Sequence, residues 1–309
     1  MIIGFAGNGR RPAMTGASLP PETDRHGRRL LLLFPALLLL ALFLVSVGQM
    51  VLLSLEDGGH FSLRHYREFF ARPDYVETYL RTVRVSILVS LASILVGYPI
   101  AYGIWRHRGS RNLLMVLVIL PWLVSVVVRT YAWMVILGPR GLINESLAWL
   151  GVLDSPLKLM FNTTGVVIGL VHVLVPFMII SILSVLLHLD RRLEEASMSL
   201  GGGPWYTFIR VTLPLSLPGV IGGATLIHLM STGAIVTPLL LGGIGERMIG
   251  TQIYQEVMQT FNFPKASTLA TLLLLGGVAA VLPLQWLERR LGRQTALRTT
   301  SAPGPTVPA

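Results

Sequence analysis

An all-α membrane protein of six transmembrane helices is the fold class this sequence predicts, on three observations. Of its 309 residues 52% are hydrophobic and only 13% charged, and the mean hydropathy is +0.66, far from the balance of a water-soluble domain. Six apolar runs are each long enough to cross a hydrocarbon core of roughly 30 Å at about 1.5 Å per residue. Arginines gather on one set of the connections between those runs, as in segments held on the cytoplasmic side.

The first run, 30–54, follows Arg28-Arg29. It is longer than a signal-peptide core and no A-x-A-like site follows it, so it is expected to stay as an anchor. The others lie at 80–103, 113–137, 163–187, 217–241 and 267–287. They carry Pro99, Pro121, Pro176, Pro218, Pro238 and Pro283, with Gly97, Gly169, Gly222, Gly223, Gly233, Gly276 and Gly277. Membrane helices tolerate these residues because neighbouring groups satisfy the freed backbone. Here they read as kinks and close-packing positions. Residues 30–290 therefore form one membrane domain, between tails at 1–29 and 291–309 whose Gly, Pro and polar content predicts disorder.

Charge sets the orientation. With the N-terminus inside, the inner segments hold 15 of the 25 Lys and Arg, and the outer segments hold nine of the 15 carboxylates. Both termini are then cytoplasmic. The formal charge of +10 is a topology signal on this reading, and no nucleic-acid partner is expected.

Several chemistries lack their residues. There is no cysteine, hence no disulfide framework or thiolate metal site. Lys158 and Lys265 are the two lysines, followed by Leu and Ala, so no P-loop is present. The histidines are scattered and no H-E-x-x-H occurs, so neither a metal site nor a catalytic residue is assigned. The six runs hold no Asp or Glu, whereas ion-coupled carriers place carboxylates at membrane depth.

Arg129 is the one charged residue well inside a run. At the centre of lipid it would cost roughly 2.5–3.5 kcal/mol, so it must face protein or water. It either lines a translocation path with Tyr131 and Trp133 or pairs with backbone carbonyls near the outer surface. His172 and His228 are candidates for the same path or simple packing residues.

Residues 188–216 break the pattern. Asp190 can cap a short helix, RRLEEASMSL, with Glu194 and Glu195 in its N-terminal half. Leu193, Ala196 and Leu200 form one apolar edge. Gly201-Gly202-Gly203 stops it, and Pro204 opens a second helix. There Trp205, Phe208, Ile209 and Thr212 recur at helical spacing, and Leu213-Pro214 is expected to end it. The pair could lie on lipid headgroups or meet a protein.

Glu195-Ala196-Ser197, Gly201 and Val211-Thr212-Leu213-Pro214, at their spacing, resemble the EAA loop of ABC importer permeases. Ser197 and Val211 depart from the usual Ala and Ile. RTYAWMVILG (129–138), GLIN (141–144), VTPLLLGG (236–243) and NFPKASTLA (262–270) resemble the spermidine/putrescine-type branch. The resemblance implies a type I importer permease fold and a cytoplasmic coupling helix. That helix would include Glu194, Glu195, Ala196, Gly201, Pro204, Leu213 and Pro214, and would dock on a separate ATP-binding cassette ATPase. It also implies a second permease subunit, identical or different, and an extracytoplasmic solute-binding protein. The chain would sit with membrane lipid in a bacterial inner membrane, moving a polyamine or a related opine, phosphonate or amino-acid-like solute. An ATPase-independent carrier or channel and a non-transporting scaffold remain as alternatives.

Overall fold

The computed structural model describes residues 24–107, 109–152, 155–243 and 245–300, with side chains from 33 to 286. The chain divides into two units, Met1–Gln49 and Met50–Ala309. In the first, helix α1 (Asp24–Ser54) begins, and its leucines from Leu33 to Leu44, with Phe34 and Phe43, are exposed, as a lipid-facing helix requires. Of the predicted tails, 1–23 and 301–309 lie outside the described residues, while α1 and the last helix extend through 24–29 and 291–300.

The second unit continues with a two-stranded hairpin (Glu56–Asp57, His60–Phe61) and α2 (Arg64–Ala71). Then follow α3 (Pro73–Arg106), α4 (Arg111–Leu123), α5 (Val126–Leu137), α6 (Leu142–Trp149) and α7 (Thr163–Leu187). After α8 (Arg192–Ser199) and α9 (Pro204–Thr207), a π-helical turn (Phe208–Thr212) leads into α10 (Leu213–Thr232). The chain ends through α11 (Val236–Leu241), α12 (Ile249–Met258) and α13 (Phe263–Thr300). Among the described residues, six helical stretches are long and apolar enough to cross a membrane: Leu33–Ser54, Pro73–Arg106, Val126–Trp149, Thr163–Leu187, Pro204–Thr232 and Phe263–Trp286.

The core is the trio α3, α7 and α10, each packed on the other two. Val89, Ala101, Met178, Ile182, Leu186 and Ile227 are fully buried there. Glycine permits the approach of α10 to α7. A Cβ at Gly219 would lie 2.8 Å from the Ser181 carbonyl, and one at Gly223 2.7 Å from Met178 Sδ. The Ser181 hydroxyl donates to the Gly219 carbonyl at 2.8 Å, the interhelical bond that small-residue packing favours in lipid. Between α3 and α10 runs a seam of buried hydroxyls. Thr232 Oγ1 and Ser86 Oγ share a bond at 3.1 Å, and Tyr98 and Ser216 one at 2.8 Å.

Two predicted runs are broken. The run at 113–137 is two helices, because Val124 and Ser125 adopt extended backbone (ψ 140° and 136°) just beyond Pro121. The run at 217–241 ends at Gly233 and restarts at Val236. Pro238 has no N–H to give the carbonyl of residue 234, and its ring would strike that carbonyl in a continuous helix.

Candidate functional site

The loop at 188–216 folds from local signals. Asp190 Oδ1 accepts the Arg192 N–H at 2.9 Å, starting α8. Gly201 takes φ +90°, the left-handed region where a side chain is penalised. Gly202 is pinned beneath α8, where a Cβ would stand 2.8 Å from the Ser197 carbonyl. Pro204 occupies the first turn of α9, where its missing N–H costs nothing.

Leu213-Pro214 does not end the second helix, as the sequence predicts it should. The helix runs on from Pro204 to Thr232, because the wider π turn just before Pro214 makes room where the proline ring would meet the carbonyl of residue 210. The same turn resets the helical phase. Of the expected apolar face, Phe208 turns inward onto Tyr98 and Tyr102, at ring distances of 5.7 and 5.2 Å, and Thr212 is fully buried. Trp205 and Ile209 point outward.

The two adjacent carboxylates differ. Glu194 is buried and accepts a hydrogen bond from Thr212 Oγ1 at 2.5 Å. Glu195 is exposed. A second latch joins Ser197 Oγ and Thr207 Oγ1 at 2.9 Å. Polar side chains thus hold the loop together from inside, while Leu193, Ala196, Leu200 and Trp205 face out, Leu200 at 90% exposure. That inverts the usual order of a surface helix pair.

The membrane-depth candidates separate. Arg129 is 8% exposed, and its Nε and Nη1, like His172 Nδ1, have no hydrogen-bond partner among the described residues. Trp133, one turn beyond Arg129, meets the His172 ring edge-on at 5.5 Å. Tyr131 is exposed, and His228 sits on α10, where its carbonyl accepts from Thr232 Oγ1. The structure therefore groups Trp133 with His172 and leaves Tyr131 and His228 apart.

Sequence reading missed the polar stitching at the opposite end. Asn144 donates to the carbonyls of Gly138 and Leu157 at 2.9 and 3.1 Å and accepts the Leu157 N–H at 2.8 Å, fixing the loop before α7. Arg81 joins Glu77 at 2.7 Å and Glu246 at 3.4 Å, and Glu246 accepts from Thr163 at 2.8 Å. Lys265 pairs with the buried Glu256 at 2.7 Å, and Thr260 and Tyr75 also donate to that carboxylate, at 2.7 and 3.4 Å. Burial alone would push the Glu256 carboxyl up, but the bonds from Lys265, Thr260 and Tyr75 outweigh it and hold it below its ordinary value. Three of these contacts, Tyr75–Glu256, Arg81–Glu246 and Thr163–Glu246, join residues more than about 80 positions apart, which no local pattern reveals.

Comparison with known proteins agrees with this fold. Residues 91–293 match the family described as binding-protein-dependent transport system inner membrane component. The spermidine/putrescine transport system permease protein PotB of Escherichia coli is 35% identical over 234 residues, 75% of this chain and 84% of that protein. The sulfate transport system permease protein CysT of the same organism is 26% identical over 236 residues, 75% and 83% of the two chains. A solved structure of a bacterial alginate ABC transporter superposes with a TM-score of 0.68 at 19% identity, covering 85% of this chain and 96% of that one. The chain thus has the fold of an ABC importer permease and belongs to the family of binding-protein-dependent transport system inner membrane components, a non-catalytic, multi-pass transport subunit of the inner membrane.

Proposed function

We propose that this permease couples to a separate cytoplasmic ATPase through the loop at 188–216 and moves a polyamine inward. The observation that carries the coupling is the inverted polarity of that loop. Leu193, Ala196, Leu200 and Trp205 are exposed while Glu194, Thr207 and Thr212 are buried, so an apolar ridge is offered to a partner by a rigid, internally bonded element. Exposed Glu195 sits beside the ridge, and Gly201 and Pro204 fix its two helices. Leu213 and Pro214, at the π turn, carry its movement directly into α10. On this reading the loop and both termini are cytoplasmic, and the outer connections receive a solute-binding protein. A second permease subunit completes the path, and alternating access follows from the differential affinity of ATP for two states of the assembly.

Polyamine cargo rests on the name of the 35% identical PotB quoted above. Arg129 supports a second reading. A buried guanidinium with unpaired Nε and Nη1, one helical turn before the Trp133 that meets His172, suits a carboxylate, sulfonate or phosphonate better than a polycation, and the similar sulfate permease fits that reading.

The test is ATP-dependent uptake in proteoliposomes holding the co-expressed complex, comparing wild type with Gly201→Asp and Glu195→Lys across polyamines, opines and phosphonates. Uptake is expected to be abolished in Gly201→Asp, since a side chain at φ +90° costs about 1–3 kcal/mol and sits on the ridge. Unchanged uptake in both variants, with the permease still inserted, overturns coupling through this loop.

A further inference from the structure

We propose that Arg111 and Arg191, with His107 and Ser110, form a binding site for the phosphodiester of an anionic phospholipid at the membrane end that carries the 188–216 loop. Arg111 Nη2 donates to the Trp105 carbonyl at 3.2 Å, and Arg191 Nη2 donates to that same oxygen. The Arg191 guanidinium also lies 5.2 Å from the centre of the Trp105 ring, and Trp105 is 2% exposed. One buried residue thus acts as a pedestal that draws together two cations, one at the start of α4 and one just before α8. Among the described residues neither forms an ion pair; Asp190, the nearest carboxylate in sequence, is engaged with the Arg192 N–H. Two adjacent guanidiniums with no ion-pair partner among the described residues create a local demand for an anion.

The space for it exists. His107, Gly109, Ser110, Arg111, Asn112 and Arg191 line a polar concavity of about 490 Å³. The choice of a lipid over a free phosphate comes from α4, which leaves this concavity through Leu113, Val116, Leu117 and Leu120, all more than half exposed. Headgroup charge at the helix start and an unpartnered apolar face running away from it match the two parts of a phospholipid. Basic pockets between helix ends on the cytoplasmic side are where such headgroups bind. The inference rests on the cytoplasmic placement of this end given above but not on coupling through the loop, so the two readings fail separately.

Native mass spectrometry of the detergent-purified complex, titrated with phosphatidylglycerol, phosphatidylethanolamine or inorganic phosphate, tests it. Phosphatidylglycerol is expected to be retained in preference to phosphatidylethanolamine. Arg111→Gln/Arg191→Gln should weaken that retention by about 30-fold, the effect of two interfacial arginines, while Arg111→Lys/Arg191→Lys keeps most of it. Equal retention by wild type and the Gln pair overturns the proposal. So does displacement of the lipid by millimolar phosphate, which marks a free-anion site, or protection of Arg111 and Arg191 from arginine-specific labelling by the ATPase alone, which marks a protein contact. Should the Gln pair fail to assemble, wild type decides: a saturable rise in its unfolding temperature with phosphatidylglycerol but not phosphatidylethanolamine is expected, and no difference between the two lipids overturns the site.

Discussion

The two ends of the helix bundle are held by opposite arrangements of the same kinds of residue. At the end bearing the 188–216 loop, polar groups face inward as latches between loop segments and apolar groups face out. At the other end, Asn144, Arg81, Glu246, Glu256 and Lys265 sew the connections onto helix termini, and apolar residues such as Phe69, Met248 and Ile249 are buried. The first presents an apolar surface on an internally bonded element. The second closes on itself. On the coupling reading proposed above, that difference lets one end transmit movement while the other stays closed.

Breaking the stitched end should cost most. Lys265→Met leaves Glu256 buried and unpaired, and about 3–5 kcal/mol of stability should be lost, read as a lower thermal unfolding temperature of the reconstituted complex. A stabilisation by more than the measurement error would show that the pair is not what holds α12 to α13.

Acid sharpens the same point. Because the folded-state value of Glu256 is depressed, its contribution is complete above the unfolded carboxyl's value of about 4.3 and is lost as pH falls through the folded one. In Lys265→Met burial acts with only neutral hydroxyl donors to oppose it and raises the value, so that variant is relatively most destabilised at neutral pH. The unfolding-temperature gap between the two proteins should narrow on acidification; a gap independent of pH would contradict the assignment.

At the presenting end the effects on stability are smaller. Glu194→Ala strips the buried Thr212 hydroxyl of its acceptor and should cost about 1–3 kcal/mol, visible as faster amide exchange across 192–212. Glu195→Ala, at an exposed position, should stay within about 0.5 kcal/mol. Equal exchange in the two variants would erase the distinction between buried latch and exposed neighbour. Leu200→Ser should leave stability unchanged or slightly raised yet lower ATP-driven uptake, since its side chain touches solvent rather than core. Full uptake in that variant would remove Leu200 from the proposed docking ridge.

Much of this was legible in the residues. The membrane class, the six crossings, the glycine stop at 201–203 and the Pro204 start follow from composition and local backbone preference, which act over a few residues and do not depend on the rest of the fold. The EAA-like spacing exposed the loop itself. The broken runs were not legible, because hydropathy counts apolar residues and cannot see where Val124 or Gly233 leaves helical geometry.

The sequence by itself determined that this chain crosses a membrane, on which residues its surface loop turns, and that adjacent carboxylates stand at the start of that loop. Only the tertiary structure decided which carboxylate is buried, that a π turn carries the helix through Leu213-Pro214, and that Trp105 gathers two arginines. The Thr212–Glu194 and Arg191–Trp105 bonds join residues 18 and 86 positions apart. Side-chain direction in such contacts is set by how helices pack, and no local propensity encodes it.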